Sequence, residues 1–190
     1  MSVSASVVIG TLGAVGMVRK KLRLGGLMET VTVLPVMIPE IILAVAFMAL
    51  FSAAGLRFGM GTLVLAHVTF CTPYVILQVL PKLRQMDKSL PEAAMDLGCT
   101  PVGAFFKVEL PEILPGIITG AIMAFTLSLD DFVISYFTSG NGFETLPIRI
   151  YGMTKKTVTP KMYALATIIF FVTLGLLLIS NLVDEKDEAK

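Results

Sequence analysis

Charged residues are scarce in this sequence, tryptophan is absent, and histidine occurs once. Charged residues make up 15% of the 190 residues, whereas hydrophobic residues make up 55% and the mean hydropathy is +0.85. A soluble domain of this size could not bury that much apolar surface in a single core. The composition therefore excludes an ordinary water-soluble domain and favours an integral membrane protein. The net charge of +1 gives no indication of a nucleic-acid partner.

Cysteines and the motifs of common enzymes are also sparse. Cys71 lies in an apolar run and Cys99 in a polar segment, so we expect neither a disulfide nor a metal site. With one histidine and no Gly-x-Ser-x-Gly motif, a serine protease acting within the membrane is disfavoured, and we expect no catalytic residue. The sequence also has no Gly-x4-Gly-Lys-Ser/Thr phosphate loop, so we do not expect this chain to bind ATP.

Five long apolar runs divide the chain, and the charged residues are concentrated between them. Crossing a hydrocarbon core of about 30 Å takes about 20 helical residues, and most of these runs reach or approach that length. Because lipid offers the backbone no hydrogen bonds, spans of this kind must be helical. We therefore predict an all-α protein with a single transmembrane domain over residues 1–190 and five transmembrane helices, at about 2–18, 31–52, 62–80, 114–137 and 163–183.

Lysine and arginine are distributed unevenly between the two sides that these five helices define. Ten lie on one side, in the segments after the first and third helices and in the C-terminal tail: Arg19, Lys20, Lys21, Arg23, Lys82, Arg84, Lys88, Lys107, Lys186 and Lys190. Five lie on the other side: Arg57, Arg149, Lys155, Lys156 and Lys161. Since loops rich in lysine and arginine stay in the cytoplasm, we predict an outer N-terminus and a cytoplasmic C-terminus.

The polar segment between the third and fourth predicted helices, residues 82–112, carries the signals of two short helices. Ser89 and Glu92 have the spacing of a capping box, in which the serine caps the helix and the glutamate bonds back to it. Gly98 has the conformational freedom to end that helix in a left-handed turn. Thr100-Pro101 predicts the start of a second helix. We therefore predict a helix, a sharp glycine turn and another helix on the cytoplasmic side.

The spacing within this segment resembles the EAA loop of binding-protein-dependent ABC importer permeases. The match consists of Glu92-Ala93-Ala94, Gly98, Val108 and Leu110-Pro111, the last of which we expect to close the second helix. In that family the loop forms coupling helices that dock on a cytoplasmic ATPase. The resemblance therefore implies the type I ABC importer permease fold and a separate ATPase partner. The coupling residues that it implies are Glu92, Ala93, Ala94, Gly98, Phe105 and Pro111.

Three residues of this segment have alternative roles that the sequence leaves open. Glu92 has the alternative of a purely local cap. Phe105 and Phe106 have the alternative of packing against the chain's own helices instead of filling pockets on a partner.

Three carboxylates lie within predicted membrane helices, where an uncompensated charge costs several kcal/mol. Glu40 is near the middle of the second helix, and Asp130 and Asp131 are in the outer half of the fourth. Residues of this kind usually face a cavity or a pathway. Because adjacent helical residues point about 100° apart, we expect one aspartate to line a path and the other to cap, pack or face a partner subunit. The alternatives are a helix that restarts after Pro39, with Glu40 in its first turn, and a contact between subunits for the aspartates.

Segments along nearly the whole chain are similar to the permeases of spermidine/putrescine importers, the PotC type: Met37–Ile41, Ala66–Tyr74, Phe125–Phe132, Leu146–Tyr151 and Ala164–Ile168. The resemblance implies a multi-pass protein of the bacterial cytoplasmic (inner) membrane. It also implies a second permease subunit, two copies of an ATPase that holds ATP and Mg, and an extracytoplasmic polyamine-binding protein as partners. No cofactor is expected on this chain itself.

A polyamine substrate suits acidic and aromatic residues along a path, because aromatic faces attract cations. The candidate pathway residues are Glu40, Asp130, Asp131, Phe132 and Tyr136, with ordinary packing as the alternative for the two aromatics. We expect His67 to hydrogen-bond between helices rather than to act as a ligand or base.

That family usually has six spans in this subunit, and we expect five here, the first being absent. An internal or misassigned start at Met1 and a truncated form stay open as explanations. The sequence does not distinguish spermidine from putrescine. A related importer for a metal ion or thiamine, and a stand-alone channel, stay open as alternatives.

Overall fold

A computed structural model describes residues 1–19, 25–87, 89–155 and 160–188. Every regular element in these ranges is helical: α1 (Ser2–Arg19), α2 (Gly25–Met37), α3 (Glu40–Ala53), α4 (Met60–Gln85), α5 (Ser89–Asp96), α6 (Pro101–Ala104), a π-helical segment (Phe105–Glu109), α7 (Leu110–Asp130), α8 (Val133–Thr138), α9 (Leu146–Thr154) and α10 (Pro160–Glu188). The predicted all-α class is confirmed. Six of the residues used for the orientation lie outside the described residues: Lys20, Lys21, Arg23, Lys88, Lys156 and Lys190.

Three helices in the described part of the chain are long and apolar enough to cross a membrane: Ser2–Arg19, Met60–Gln85 and Pro101–Asp130. The pair α2 and α3 meets the same test jointly, although its two halves are bent by 106°. A shorter apolar helix, Tyr163–Leu178, lies within α10. In the described part of the chain, helices of membrane-crossing length therefore fall in three of the five predicted regions, and in a fourth if the bent pair counts as one span; the fifth region contains only the shorter apolar helix.

The second predicted helix, 31–52, is not continuous in the structure. It is interrupted at Ile38 and Pro39, and α3 begins at Glu40 with Pro39 in an extended conformation, at φ −53° and ψ 131°. Proline has no N–H to donate and its ring clashes with the preceding turn, so Pro39 starts a new helix in a new direction. The bend makes Glu40 a residue of the first turn of α3, which is the alternative that the sequence left open.

The fourth predicted helix, 114–137, also has different bounds. At its N-terminal end the helix runs unbroken from Pro101, so Leu110-Pro111 does not close the second loop helix. The π-helical turn, in which Leu110 N–H donates to the Phe105 carbonyl, immediately precedes Pro111. A wider turn there accommodates a ring that would clash with an α-helical backbone. At the other end, Asp131 adopts ψ 116° and separates α7 from α8.

Helix α4 forms the centre of the core, since both α1 and α7 pack closely on it. A Cβ atom on Gly10 of α1 would lie 2.8 Å from Cβ of Val75, and one on Gly116 of α7 would lie 2.8 Å from the Gln78 carbonyl oxygen. Gly120 of α7 also faces Val75. Small residues therefore let both helices approach α4 at backbone distance, as in other membrane helix pairs.

Candidate functional site

Asp131 is a buried helix cap. Its side chain accepts hydrogen bonds from the backbone N–H groups of Ile134 at 3.1 Å and Ser135 at 2.7 Å, and from the Ser135 hydroxyl at 2.7 Å. These bonds satisfy donors at the start of α8 that have no partner within the helix. With a relative exposure of 4%, Asp131 is one of the buried charged residues of the structure. The local break between α7 and α8 therefore follows from Asp131 itself.

His67 ties this cap to α4. Its Nε2 lies 3.1 Å from Asp131 Oδ2 and 3.1 Å from the Ser135 hydroxyl, and its Nδ1 lies 2.8 Å from the Ser128 hydroxyl. The imidazole thus joins α4 to both sides of the helix break. This agrees with the predicted role of His67 as a hydrogen-bonding residue between helices.

Glu40 reaches the same region from α3. Its carboxyl group lies close to that of Asp131, and it interacts electrostatically with both Asp131 and Asp130. The structure thus brings together the three carboxylates that the sequence singled out, from two helices that start or end at this point. Concentrated negative charge at helix breaks favours a cation nearby.

Asp130 differs from its neighbour because its side chain is exposed and lines a cavity of about 320 Å³. The cavity lies between the end of α7, α9 and α10, and its lining also includes Phe132 and Tyr151. The rings of these two aromatics have centroids 4.7 Å apart. The side-chain ammonium of Lys155 lies 4.7 Å from the Tyr151 ring centroid, so the Tyr151 ring already holds a cation.

Sequence reasoning proposed Tyr136 instead of Tyr151 as the second aromatic. Tyr136 lies 5.4 Å from Phe132, ring centroid to centroid, and is exposed, but it is absent from the cavity lining. The segment containing Tyr151 had been recognised as part of the family resemblance. Because Tyr151 is 21 residues from Asp130 in the sequence, no local pattern indicates that the two residues line one cavity.

The loop from α5 to α6 has the predicted helix–turn–helix form. Gly98 has φ +89°, which ends α5 in a left-handed turn. The Thr100 hydroxyl accepts the Gly103 N–H at 3.1 Å and so caps α6. Short helices joined by one tight turn form a stiff unit, which transmits displacement better than a flexible loop.

The start of α5 differs in detail from the predicted capping box. Ser89 is the first residue of the helix, and its N–H donates to the Asp87 carboxylate at 2.9 Å. This bond lowers the pKa of Asp87 below its ordinary value, because it stabilises the ionised form. Glu92 lies in the first turn and lines a cavity of about 540 Å³ between the loop and the helical bundle.

The other predicted coupling residues divide into inward and outward positions. Ala94 is buried and Ala93 is exposed. Phe105 packs against the core, whereas Phe106 is 59% exposed. Leu97, at 88% exposure, and Val102 extend this outward apolar surface.

Sequence reasoning missed an ion pair behind this loop. Arg19, at the end of α1, lies 2.5 Å from Glu109 in the π-helical segment. The two residues are 90 positions apart. The predicted topology placed both on the cytoplasmic side, but nothing in the sequence paired them.

Helix α7 connects the loop formed by α5 and α6 to the three carboxylates. A stiff loop with an outward apolar surface leads through the π-helical turn into α7, and α7 ends at the carboxylates. Such a protein can bind a cation at one end and a partner at the other, and can link the two mechanically.

The sequence of this chain is similar to those of known transport proteins. Residues 6–185 match the family model described as binding-protein-dependent transport system inner membrane component. The spermidine/putrescine transport system permease protein PotC of Haemophilus influenzae is 39% identical over 180 residues, covering 95% of this chain and 70% of that protein. The putrescine transport system permease protein PotI of Escherichia coli K12 is 42% identical over 173 residues, covering 87% of this chain and 62% of that protein.

The fold is also found among solved structures. The MetNI methionine ABC transporter in its inward-facing form matches with a TM-score of 0.65 and 20% identity, covering 99% of this chain and 87% of that chain. At this level of identity the match concerns the fold alone, which is that of an ABC transporter permease.

Proposed function

The chain belongs to the family of binding-protein-dependent transport system inner membrane components, and from that premise we propose that it is a permease subunit of an ATP-driven polyamine importer. The observation that carries the substrate class is the pair of relatives described above, both named as polyamine permeases and both about 40% identical over most of the chain. The chain contributes half of the translocation pathway, and a second permease subunit contributes the other half.

Asp130, Phe132 and Tyr151 form the cation-binding part of that pathway. A protonated amine paired with an exposed carboxylate and lying on an aromatic face gains both Coulomb and cation–π attraction. The Lys155 ammonium on Tyr151 supports this assignment, since it is itself a primary alkylammonium group. The carboxyl groups of Glu40 and Asp131 lie behind the site, and Tyr136 is exposed beside Phe132 but outside the cavity lining.

Coupling to ATP hydrolysis uses the loop that contains Glu92, Ala93, Ala94 and Gly98. Closure of the ATPase displaces the loop, and the unbroken helix from Pro101 carries the displacement to Asp130. Helix α7 has 21 residues and is therefore about 31 Å long. Phe105 packs against the core at the start of the π-helical segment. Pro111 favours the wide turn that joins this segment to α7.

The partners follow from this mechanism. Two copies of a cytoplasmic ATPase hold ATP and Mg, and an extracytoplasmic binding protein delivers the polyamine. The chain itself is a multi-pass protein of the bacterial cytoplasmic membrane that holds no cofactor and catalyses no reaction.

Uptake of labelled spermidine in cells that carry this chain with its partner subunits tests the proposal. We expect ATP-dependent uptake that unlabelled putrescine competes with and that thiamine and divalent metal ions leave unchanged. Competition by thiamine or a metal alone would support the related importer instead. Solute flux through the purified subunit without an ATPase would support a channel.

The Asp130→Asn variant tests the site within the same experiment. We expect it to raise the spermidine concentration for half-maximal uptake by about tenfold, the equivalent of losing roughly 1.4 kcal/mol of binding. The matched control is Glu144→Gln, which removes an exposed carboxylate from the segment between α8 and α9. Equal affinities for Asp130→Asn and the unmodified protein would refute the assignment of Asp130.

A further inference from the structure

The cytoplasmic end of α1 is fastened to the π-helical segment that joins the coupling loop to α7. Arg19 is the last residue of α1, and its guanidinium lies 2.5 Å from the Glu109 carboxylate. The same guanidinium lies 5.6 Å from the centroid of the Phe105 ring. Arg19 therefore contacts both ends of a single five-residue turn. We call Arg19, Phe105 and Glu109 the α1 clamp.

The surroundings of the clamp make the ion pair more than a surface contact. The Glu109 side chain is 6% exposed, whereas that of Arg19 is 48% exposed. A buried carboxylate that loses its charged partner is strongly destabilised, because water cannot replace that partner. Arg19 therefore holds Glu109, and with it the π-helical turn, against α1.

The α1 clamp lies between the coupling loop and the helix bundle, where it can transmit a displacement of the loop to α1. A cavity of about 540 Å³ separates the loop helix α5 from the ends of α1 and α4, and Arg19 and Glu109 both line it. Adjacent Phe105 and Phe106 face different ways, with Phe106 exposed and Phe105 packed inward. The turn thus presents one face to an external partner and the other to α1.

We propose that Arg19 and Glu109 are positioning residues that make α1 follow the coupling loop when the ATPase moves it. This inference rests on the proposed function as a permease coupled to an ATPase. Displacement at Phe106 reaches α7 through the continuous backbone and reaches α1 through the clamp. Without the clamp, we expect α7 to move with the coupling loop while the end of α1 keeps its position.

The test uses the whole importer in liposomes, with labelled spermidine uptake and ATP hydrolysis measured in the same sample. The variants are Arg19→Glu, Glu109→Arg and the double exchange. We expect each single variant to hydrolyse ATP while transporting about tenfold less spermidine per ATP, and the double exchange to recover most of that ratio. Glu112→Gln and Arg57→Gln, which change exposed charges elsewhere, are the matched controls.

Arg19→Lys addresses the case in which a reversed charge prevents assembly. Lysine keeps the charge but has no planar fork and stacks less well on an aromatic ring, so we expect an intermediate ratio. Transport per ATP equal to that of the unmodified protein in Arg19→Lys and in the assembled single variants would overturn the proposal. So would a double exchange no better than the single ones.

A distance measurement tests the clamp without reference to the substrate. Spin labels at Gly16→Cys on α1 and Leu97→Cys on the loop, with Cys71 and Cys99 replaced by alanine, report whether the two elements move together. We expect ATP binding to leave this distance unchanged in the parent protein and to change it in Arg19→Lys. Equal changes in both would overturn the clamp, whereas absence of spermidine uptake by the unmodified importer would count against the proposed substrate alone.

Discussion

Asp130 and Asp131 are neighbours in the chain with opposite surroundings. Asp131 is buried and accepts bonds from two backbone N–H groups, a hydroxyl and the imidazole of His67. Asp130 is exposed beside an aromatic cavity. The same side chain therefore stabilises a helix break at one position and is available to a ligand at the next.

Replacing Asp131 with asparagine should reduce stability more than replacing Asp130. Asparagine keeps one acceptor oxygen but replaces the other with an amide donor, so part of the bonding to the N–H and O–H groups at the start of α8 is lost, and we expect a loss of about 1–3 kcal/mol. Thermal unfolding of the purified subunit in detergent measures this loss. Asp130→Asn is the matched control, because surface substitutions usually change stability by less than about 0.5 kcal/mol. Equal unfolding temperatures for the two variants would refute the capping role.

Tyr151 offers a separate test of the aromatic face. Tyr151→Phe keeps the ring and its quadrupole, whereas Tyr151→Leu keeps only an apolar surface. We expect the leucine variant to raise the half-maximal spermidine concentration by about threefold to tenfold, in line with a cation–π contact of roughly 0.5–1.5 kcal/mol, and the phenylalanine variant to change it little. Uptake kinetics at fixed ATP measure both. Equal loss in the two variants would indicate a role for the hydroxyl group instead.

At the scale of elements, the helix types and their order were predictable, whereas the breaks were predictable only in part. The length of the apolar runs predicted the membrane helices. Gly98 and Thr100 predicted the loop, because a helix cap and a left-handed turn depend on only a few neighbouring residues. Pro39 was recognised as a disruption, but the 106° bend depends on how α3 packs afterwards. Asp131 forms the second break through its own side chain, but the contact of that side chain with His67, 64 residues away, is one that no local pattern reveals.

Gly98 tests whether the loop acts as a stiff unit. Its φ of +89° disfavours any side chain, while a Cβ atom would meet nothing within 4 Å, so substitution there perturbs the backbone alone. A non-glycine residue in the left-handed conformation typically costs about 1–2 kcal/mol of stability, and a β-branched residue costs more. We therefore expect Gly98→Val to lower both the stability of the loop and the spermidine transport per ATP hydrolysed. Gly98→Asn is the matched control, since asparagine tolerates this conformation. Unchanged coupling in Gly98→Val would contradict the role of the turn.

For the whole molecule, the arrangement depends on α1 and α7 resting closely on α4. Gly116 faces the Gln78 carbonyl, and Gly10 faces Val75, so three separate parts of the chain meet through two glycines. The sequence alone does not show whether a glycine on a helix face serves a close contact or is merely tolerated in lipid. The contact partners decide this, because a backbone oxygen cannot move aside as a side chain can.

Gly116→Ala should therefore loosen the entire bundle. The added methyl group would lie 2.8 Å from the Gln78 carbonyl oxygen, which forces α7 away from α4 at an expected cost of about 1–3 kcal/mol. Thermal unfolding in detergent and recovery of the complex with its partner subunits measure the effect. Gly16→Ala is the matched control, since a Cβ atom on that residue of α1 meets nothing within 4 Å, and alanine is the better helix former there. If Gly116→Ala proved as stable as Gly16→Ala, α7 would not be held at backbone distance from α4, and the lever from loop to carboxylates would lack its support.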